Sequence, residues 1–276
     1  MEIFGIFRIN TGKTGGQKVE QTLPFSIIEN RDAPAMPSNL KIINRFNILK
    51  CFRDGMSHTV GEVSAITGIS KNTSMRAVHF FCERGILVTQ GKIYQGTLGG
   101  KYPEIFKLNI MKYILDITLW PHLVCFSLMD FCGNVVRRAD YEAVKIRSLS
   151  VAEINKFLLE ETVAILEEEG ITKEDVYGIW ISTAGNIDYT NNRIKYNTQA
   201  PEWGSNVSLL DSLKEYFDRD TKIFLENGGK TIARAFLRRP EVGNKRVLTI
   251  TTDGGIAGCF MQDGKIVSGR TSLIGK

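Results

Sequence analysis

The sequence has few features of a membrane or secreted protein. Its 276 residues include no apolar run that approaches the ~20 residues needed to span a bilayer. The amino terminus has an acid at position 2 and no long apolar core, which argues against a signal peptide. The five cysteines are widely spaced, odd in number and without a C-x-x-C pair, so neither a disulfide framework nor a zinc site is indicated. We expect reduced thiols in a cytoplasmic protein that needs no metal or other cofactor.

A large charge imbalance is also absent, since 35 basic and 30 acidic residues leave a net charge of +5. The distribution is nevertheless uneven. Residues 1–35 are neutral, residues 36–110 carry ten basic and four acidic side chains, and residues 111–276 carry 21 basic and 22 acidic ones. The whole excess therefore lies in one block with a charge of +6, which suits a polyanionic partner, although a solvated basic surface would give the same count.

Length and pattern predict two domains after an amino-terminal extension. A chain of 276 residues with 43% hydrophobic and 24% charged residues suits about two globular domains. We assign residues 36–110 to one domain and residues 111–276 to the other. Residues 1–35 contain Gly12-Lys13-Thr14, but Phe7 stands where a phosphate-binding loop has its first glycine, so we interpret them as a flexible extension.

Residues 36–110 begin with the pattern of a helix-turn-helix. Apolar residues recur at helical spacing over 40–52, and Asp54-Gly55 ends that helix. A second helix is predicted over Val60–Thr67, because Thr59 and Glu62 have the spacing of a capping box. Gly68 then permits a tight turn, since a residue without Cβ reaches positive φ at little cost. Two helices joined in this way place the second of them in the DNA major groove.

The third helix carries the predicted DNA contacts. Ser70 caps it and it runs to about residue 84, with its apolar residues on one side and polar residues on the other. Asparagine pairs with adenine and arginine with guanine, while lysine and hydroxyl groups suit phosphates. The predicted contacts are Ser70, Lys71, Asn72, Thr73, Met75 and Arg76. A structural three-helix module is the alternative interpretation of the same pattern.

Extended runs after the third helix predict a wing. Residues 86–88 and 92–94 flank a turn that we place at Gln90-Gly91, and a further extended run covers 105–108. The tip of such a wing can bring a basic side chain to the DNA backbone or minor groove. Lys101 is the predicted contact there.

This block resembles the DNA-binding domain of the ROK family of repressors and sugar kinases, in particular its xylose- and N-acetylglucosamine-repressor type. Residues 68–78 read G-I-S-K-N-T-S-M-R-A-V, which is similar to the family's G-I-S-K-x-T-x-x-R-x-V. Residues 99–103 read G-G-K-Y-P, where the family's wing has Gly-Gly-Arg-Pro. The resemblance implies a winged helix-turn-helix that binds an operator as a dimer.

Residues 111–276 alternate strand and helix patterns, among them a helix pattern over Thr231–Leu237, which predicts an α/β domain with a mixed sheet. The element order resembles the first lobe of the ROK sugar-sensor or kinase domain, a relative of actin and hexokinase with a ribonuclease-H-like core. Aligned on that family, the chain stops at Lys276, before the second lobe, so we expect a carboxyl-terminally truncated domain.

The resemblance also indicates where a sugar and a nucleotide would bind in the family. Residues 181–188 are similar to the sugar-side loop, which brings in Gly185 and Asn186, although a plain glycine turn explains them equally well. Asn227 is either a sugar contact or a turn-stabilising residue. Gly255 lies in a stretch, 252–258, that resembles a phosphate loop but contains Asp253.

Two departures from the family pattern argue against catalysis. Gly228 occupies the position of the family's catalytic aspartate, and glycine has no side chain that could accept a proton. Residues 116–120, D-I-T-L-W, replace a glycine-rich phosphate-binding turn, and bulky side chains there prevent a close backbone approach to phosphate.

We therefore predict a repressor of sugar metabolism with a non-catalytic ROK domain, an operator as its DNA partner and a sugar as its effector. The rival interpretations are a sugar kinase that phosphorylates a hexose from ATP, and a non-functional remnant of a disrupted repressor gene.

Overall fold

The computed structural model describes residues 37–92, 103–120, 122–142, 148–237, 242, 245–252, 256–262 and 265–267. The predicted extension at 1–35 and the predicted contacts Lys101 and Gly255 lie outside the described residues.

The amino-terminal part forms the three helices and the small sheet that the sequence predicts. Its antiparallel sheet has the strand order β1-β3-β2. The elements are α1 (Pro37–Lys50), β1 (His58–Thr59), α2 (Val60–Thr67), α3 (Lys71–Cys82), β2 (Leu87–Lys92) and β3 (Glu104–Leu108). This arrangement is that of a winged helix-turn-helix, so the predicted fold of this block is confirmed.

Local hydrogen bonds explain the bounds of α2 and the turn that follows it. The Thr59 hydroxyl accepts a hydrogen bond from the Glu62 backbone N–H at 3.2 Å, and the Glu62 carboxylate accepts one from the Thr59 N–H at 2.7 Å. These bonds lower the pKa of Glu62, mainly through the backbone N–H of Thr59. Gly68 ends the helix in the left-handed region at φ 68°, and the Ser64 hydroxyl donates to the Ile69 carbonyl at 2.7 Å across the turn. The predicted capping box and glycine turn are both present.

The wing differs from its prediction at Gln90-Gly91. The sequence was expected to turn there, but β2 runs without interruption through these residues and pairs with β3 from Leu87 to Lys92. The register shifts by one residue between Thr89 and Gly91, where Gly91 has a φ of 101°. The glycine therefore accommodates a β-bulge rather than a hairpin turn, because a bulge also needs a residue that tolerates positive φ.

The core of the winged helix-turn-helix extends beyond residue 110. Val63, Val78 and Phe81 pack with Ile114, in the first strand of the next part of the chain, and with Phe131, in the turn that follows the second strand. Phe131 also contacts the Tyr177 ring edge to face, at a centroid distance of 5.2 Å. Hydrophobic packing thus joins the winged helix-turn-helix to one end of the following sheet. The boundary at 110/111 stays a prediction.

The second part of the chain is built on a five-stranded mixed sheet with the order β11-β7-β4-β5-β6. Strands β11, β7 and β4 are parallel, whereas β5 and β6 are antiparallel to their neighbours. The elements of this sheet and its helices are β4 (Tyr113–Trp120), β5 (Leu123–Asp130), β6 (Val135–Tyr141), α4 (Val151–Glu168), β7 (Val176–Thr183), α5 (Asp211–Tyr216), β11 (Lys222–Asn227) and α6 (Gly228–Phe236).

Alternation along β4 separates its two faces. Leu115, Ile117 and Leu119 are buried in the core that α4 covers, where Ile154 and Leu158 meet them. Asp116, Thr118 and Trp120 occupy the opposite face because successive side chains of a strand point to opposite sides. Residues 116–120 align with the family's phosphate-binding turn, but in this chain they continue the strand to Trp120. Without glycine, nothing in this segment favours a turn over the strand that its β-branched and apolar residues prefer.

Two smaller sheets complete the described chain. Strands β8 (Asn186–Asp188), β9 (Arg193–Tyr196) and β10 (Ser205–Val207) follow β7 and were not predicted. Strands β12 (Val247–Thr252), β13 (Ile256–Gln262) and β14 (Lys265–Ile266) pack Met261 and Cys259 against Ala233 of α6.

Helix α6 begins earlier than the sequence suggests. It was expected to start at Thr231, but it starts at Gly228, directly after Asn227. Among the described helices, none is both long and apolar enough to cross a membrane.

Candidate nucleic-acid interface and effector site

The outward face of α3 carries the predicted DNA contacts. Lys71, Asn72, Met75 and Arg76 are exposed, as is His79, while Ala77, Val78 and Phe81 are buried on the other side of the helix. This separation follows from the 3.6-residue period, which turns positions 72, 75, 76 and 79 to one face. The structure therefore brings the predicted base-reading side chains together in one stripe.

Ser70 and Thr73 lie at the amino terminus of α3 and hold its first turn. The Thr73 backbone N–H donates to Ser70 Oγ at 3.3 Å, and the two hydroxyl oxygens are 3.0 Å apart. Their hydroxyl groups are accessible at the start of the helix, where backbone N–H groups and the helix dipole favour an anion. Lys71 follows them, and it makes no ion pair within the part of the chain that the structure describes.

An open groove of about 570 Å³ runs between α3 and α1. Asn72, Arg76 and His79 line it from α3, and Arg45 lines it from α1. Arg45 was not among the predicted contacts, because the prediction for α1 used only its apolar positions. A basic residue on the helix next to a predicted recognition helix was the signal that could have found it.

A second candidate site lies at the carboxyl ends of the parallel strands β4, β7 and β11. These ends are Trp120, Thr183 and Asn227, and Thr183 is opposite Asn227 in the pairing of β7 with β11. In open α/β sheets, ligands bind outside the carboxyl ends of the strands. The predicted sugar-side residues Gly185 and Asn186 follow β7 at this edge.

Asn227 and Gly185 both have structural roles at this edge. The Asn227 side chain caps α6 by accepting from the Lys230 N–H at 3.4 Å, and it donates to the Gly185 carbonyl at 3.0 Å. Gly185 has a φ of 109°, and an added Cβ would approach the Tyr196 carbonyl oxygen to 2.9 Å. Glycine is required at this position by close packing. Both residues thus shape the edge on which Asn186 is placed.

Two buried acceptors at this edge lack a partner among the described residues. Asn186 is 4% exposed and Thr183 is 2% exposed, yet Asn186 Oδ1 accepts no hydrogen bond there and the Thr183 hydroxyl makes none. Buried polar groups of this kind are normally paired with protein, water or a ligand.

Gly228 and the Trp120 indole lie next to each other at this edge. A Cβ added to Gly228 would lie 3.3 Å from Cη2 and 3.7 Å from Cζ3 of the indole. A side chain at 228 would therefore require the indole to move by a few tenths of an ångström. Both residues belong to segments in which the sequence departs from the kinase pattern that it resembles.

A charged network lies beneath the start of α6. The Glu226 carboxylate is 2% exposed and accepts hydrogen bonds from Tyr189 Oη at 2.5 Å and from Arg234 Nε and Nη2 at 3.1 and 2.9 Å. Lys230 is 4% exposed, with Nζ 4.7 Å from the Tyr189 ring centroid. The network fixes α6 against β11, and neither Tyr189 nor Arg234 was predicted from the sequence as a site residue.

Asp116 lies on the same face of β4 as Trp120. Burial raises the pKa of its carboxyl to about 6, while the Thr118 hydroxyl, which donates at 3.3 Å, acts in the opposite direction. Within the described ranges, no group of three or more His, Cys, Asp and Glu side chains is placed to hold a metal ion.

Comparison with known proteins gives structural matches only. No family model matches the sequence, and no curated protein matches it. The solved structure of a ROK-family transcriptional regulator, a homologue of the E. coli MLC protein, matches with a TM-score of 0.62 at 14% identity. The match covers 86% of this chain and 58% of that one, so the chain spans a little over half the length of the regulator.

Two enzymes of related fold match less well. A ROK hexokinase from Thermus thermophilus gives a TM-score of 0.46 at 18% identity, covering 59% of this chain and 51% of its own. A glucokinase from Parabacteroides distasonis gives 0.48 at 19% identity, covering 60% and 48%. The match to the ROK-family regulator confirms the predicted α/β fold class.

Proposed function

Because the chain has the fold of a ROK-family regulator, we propose that it is a sequence-specific DNA-binding repressor of sugar metabolism. The observation that carries the proposal is the exposed stripe of α3, which combines Asn72, Met75 and Arg76 with the cationic Lys71. It lies on the second helix of a helix-turn-helix, the element that enters the major groove in proteins of this architecture.

Each side chain of the stripe has a role that its chemistry supports. Arg76 suits a bidentate contact with guanine, Asn72 suits adenine, and Met75 offers an apolar contact to a thymine methyl group. Lys71, with the hydroxyls of Ser70 and Thr73, suits backbone phosphates. Lys101, outside the described residues, stays a predicted wing contact. A dimer would present two such helices to a near-palindromic operator.

The proposal includes a sugar effector and no catalysis. Thr183 and Asn186 supply buried acceptors that a sugar hydroxyl could satisfy, and they support an effector site at the edge formed by β7 and β11. Gly228 supplies no side chain that could accept a proton, and the Trp120 indole lies 3.3 Å from where its Cβ would be, which supports binding without phosphoryl transfer.

The DNA-binding assignment is tested with duplexes selected by the full chain from random DNA. We expect Lys71→Ala to weaken binding by a similar factor on every sequence and to lower the salt slope by about 1. Arg76→Ala is expected to cost ~1–3 kcal/mol and to relax the preference at one base pair. Lys156→Ala, an exposed charge on α4, is the matched control. DNA binding that is unchanged in the double variant Lys71→Ala, Arg76→Ala would show that α3 is not the recognition helix.

The effector assignment is tested by adding candidate sugars to the protein–DNA complex. We expect one class of sugar to change DNA affinity, and Asn186→Ala to remove this response while leaving DNA binding intact. Transfer of phosphate from ATP to a hexose by the full chain would instead favour the kinase interpretation. A protease-resistant fragment limited to the winged helix-turn-helix would favour the remnant.

A further inference from the structure

Two arginines stack on the ring of Phe80, which lines the groove between α1 and α3 together with one of them, Arg45. The guanidinium carbon of Arg45 lies 3.2 Å from the centroid of Phe80, and that of Arg84 lies 3.6 Å from it. Two guanidinium groups cannot share one face of a ring at these distances without overlapping, so they flank Phe80 on opposite faces. The negative π faces of the ring attract both cations.

The two arginines differ in their other contacts. Arg84 is 3.7 Å from the Glu83 carboxylate and donates from Nη1 to the Phe80 carbonyl at 3.2 Å. Arg45 has no carboxylate partner in the described ranges of the chain. Burial of its guanidinium, and secondly the positive charge of Arg84, lower the pKa of Arg45. The structure thus holds Arg45 where its own charge is not compensated.

Stacking leaves the hydrogen-bonding edge of Arg45 free for a ligand. A guanidinium stacks through its face and donates through its edge, and Arg45 uses none of its N–H groups within the described structure. Its groove is shared with Asn72 and Arg76, which belong to the stripe proposed to read bases. Glu83 is the one carboxylate that lines the groove, and it pairs with Arg84.

We propose that Arg45, held against Phe80, is a clamp for a backbone phosphate of the DNA that α3 reads. The inference rests on the proposed function and adds a contact from α1, outside the helix-turn-helix pair. A phosphate at this place would compensate Arg45 and accept two parallel hydrogen bonds from its planar fork. Phe80 fixes the fork before DNA arrives, so little side-chain entropy is lost on binding.

The test measures DNA affinity of the full chain as a function of salt, on selected duplexes and on an unrelated duplex of equal length. We expect Arg45→Gln to weaken binding roughly tenfold on both duplexes and to lower the salt slope by about 0.9, the value for one phosphate contact. Arg53→Gln makes the same change of charge in the turn after α1, outside the groove, and is the matched control. Phe80→Leu keeps every charge and is expected to weaken binding about threefold by releasing Arg45.

The outcomes separate this proposal from the one on which it rests. If Arg76→Ala impairs binding but Arg45→Gln matches Arg53→Gln in affinity and salt slope, the clamp is wrong and the recognition helix stands. A loss confined to selected duplexes would assign Arg45 to a base and overturn the phosphate contact. Failure of the unmodified chain to bind any DNA would overturn both. Circular dichroism spectra matching the unmodified chain are the folding control for each variant.

Discussion

Asp116 carries a carboxyl group, and we expect its ionisation to destabilise the α/β part of the chain. It lies in the middle of β4, opposite Trp180 in the pairing with β7 and opposite Ser127 in the pairing with β5. Burial raises its pKa from the ordinary 3.8 to about 6. The folded chain therefore binds this proton more tightly than the unfolded chain does.

The sign of the pH dependence follows from that difference. Below pH ~3.8 the carboxyl is protonated in both states and has no net effect. Between pH ~3.8 and ~6 the unfolded chain ionises first, so the free energy of unfolding falls as the pH rises. Two pKa units correspond to about 3 kcal/mol. Water reaches the half-buried residue and reduces this energetic effect of the pKa difference. We therefore expect the free energy of unfolding to be lower by about 2 kcal/mol above pH 6.

Substitution of Asp116 by asparagine removes the ionisation and keeps an acceptor for the Thr118 hydroxyl. We expect Asp116→Asn to equal the unmodified chain in stability near pH 4 and to exceed it by about 2 kcal/mol at pH 7.5. Urea unfolding can be followed by tryptophan fluorescence, because the three tryptophans all lie beyond residue 110. With a typical urea dependence of about 2 kcal/mol per M, the midpoint rises by about 1 M.

Glu202→Gln, at an exposed position before Trp203, is the control for a general effect of charge removal. It is expected to leave the difference between pH 4 and pH 7.5 unchanged. An Asp116→Asn variant with the same pH dependence as the unmodified chain would refute the reasoning.

Two further substitutions test the packing of each part of the chain. Gly68→Ala is expected to lower the free energy of unfolding by ~1–2 kcal/mol, because φ is 68° at this position. Gly61→Ala, inside α2, is expected to raise it by about 0.5–1 kcal/mol. Amide hydrogen exchange of α2 and α3 measures both changes in stability. If both substitutions stabilised or both destabilised these helices, the role of Gly68 would be contradicted. Asn155→Ala is expected to cost about 3 kcal/mol, since its buried amide bonds to the Ser208 carbonyl and to the Asp211 and Ser212 N–H groups. Lys156→Ala, the exposed neighbour, is expected to change urea stability by no more than about 0.5 kcal/mol.

Features that depend on neighbouring residues were predictable from the sequence. The capping box of Thr59 and Glu62, the cap at Ser70 and the left-handed Gly68 involve groups within four residues of one another. Such groups meet whatever the rest of the chain does. The exposed stripe of α3 was predictable for a related reason, because a helical period and a buried face together fix which residues point outward.

Predictions failed where one residue type serves two local structures. Gln90-Gly91 was read as a turn, but the pairing of β2 with β3 converts the same glycine into a bulge. The helix after Gly228-Gly229 was predicted to begin only at Thr231. In the structure, packing of Ala257 and Trp120 against these glycines and the cap at Asn227 extend the helix to Gly228. Intrinsic propensity disfavours glycine in a helix by about 1 kcal/mol, and tertiary contacts outweigh it here.

The sequence by itself determined the winged helix-turn-helix, the α/β class and the polar stripe of α3, because periodicity, capping and turn residues act over short distances. Only the tertiary structure decided which distant residues meet. It placed Arg45 beside Arg76 across the groove, set the Trp120 indole against Gly228, and left Thr183 and Asn186 as buried acceptors at one sheet edge. The first two of these juxtapositions join residues tens of positions apart in the chain. They depend on how helices and strands pack, which no local pattern of residues encodes.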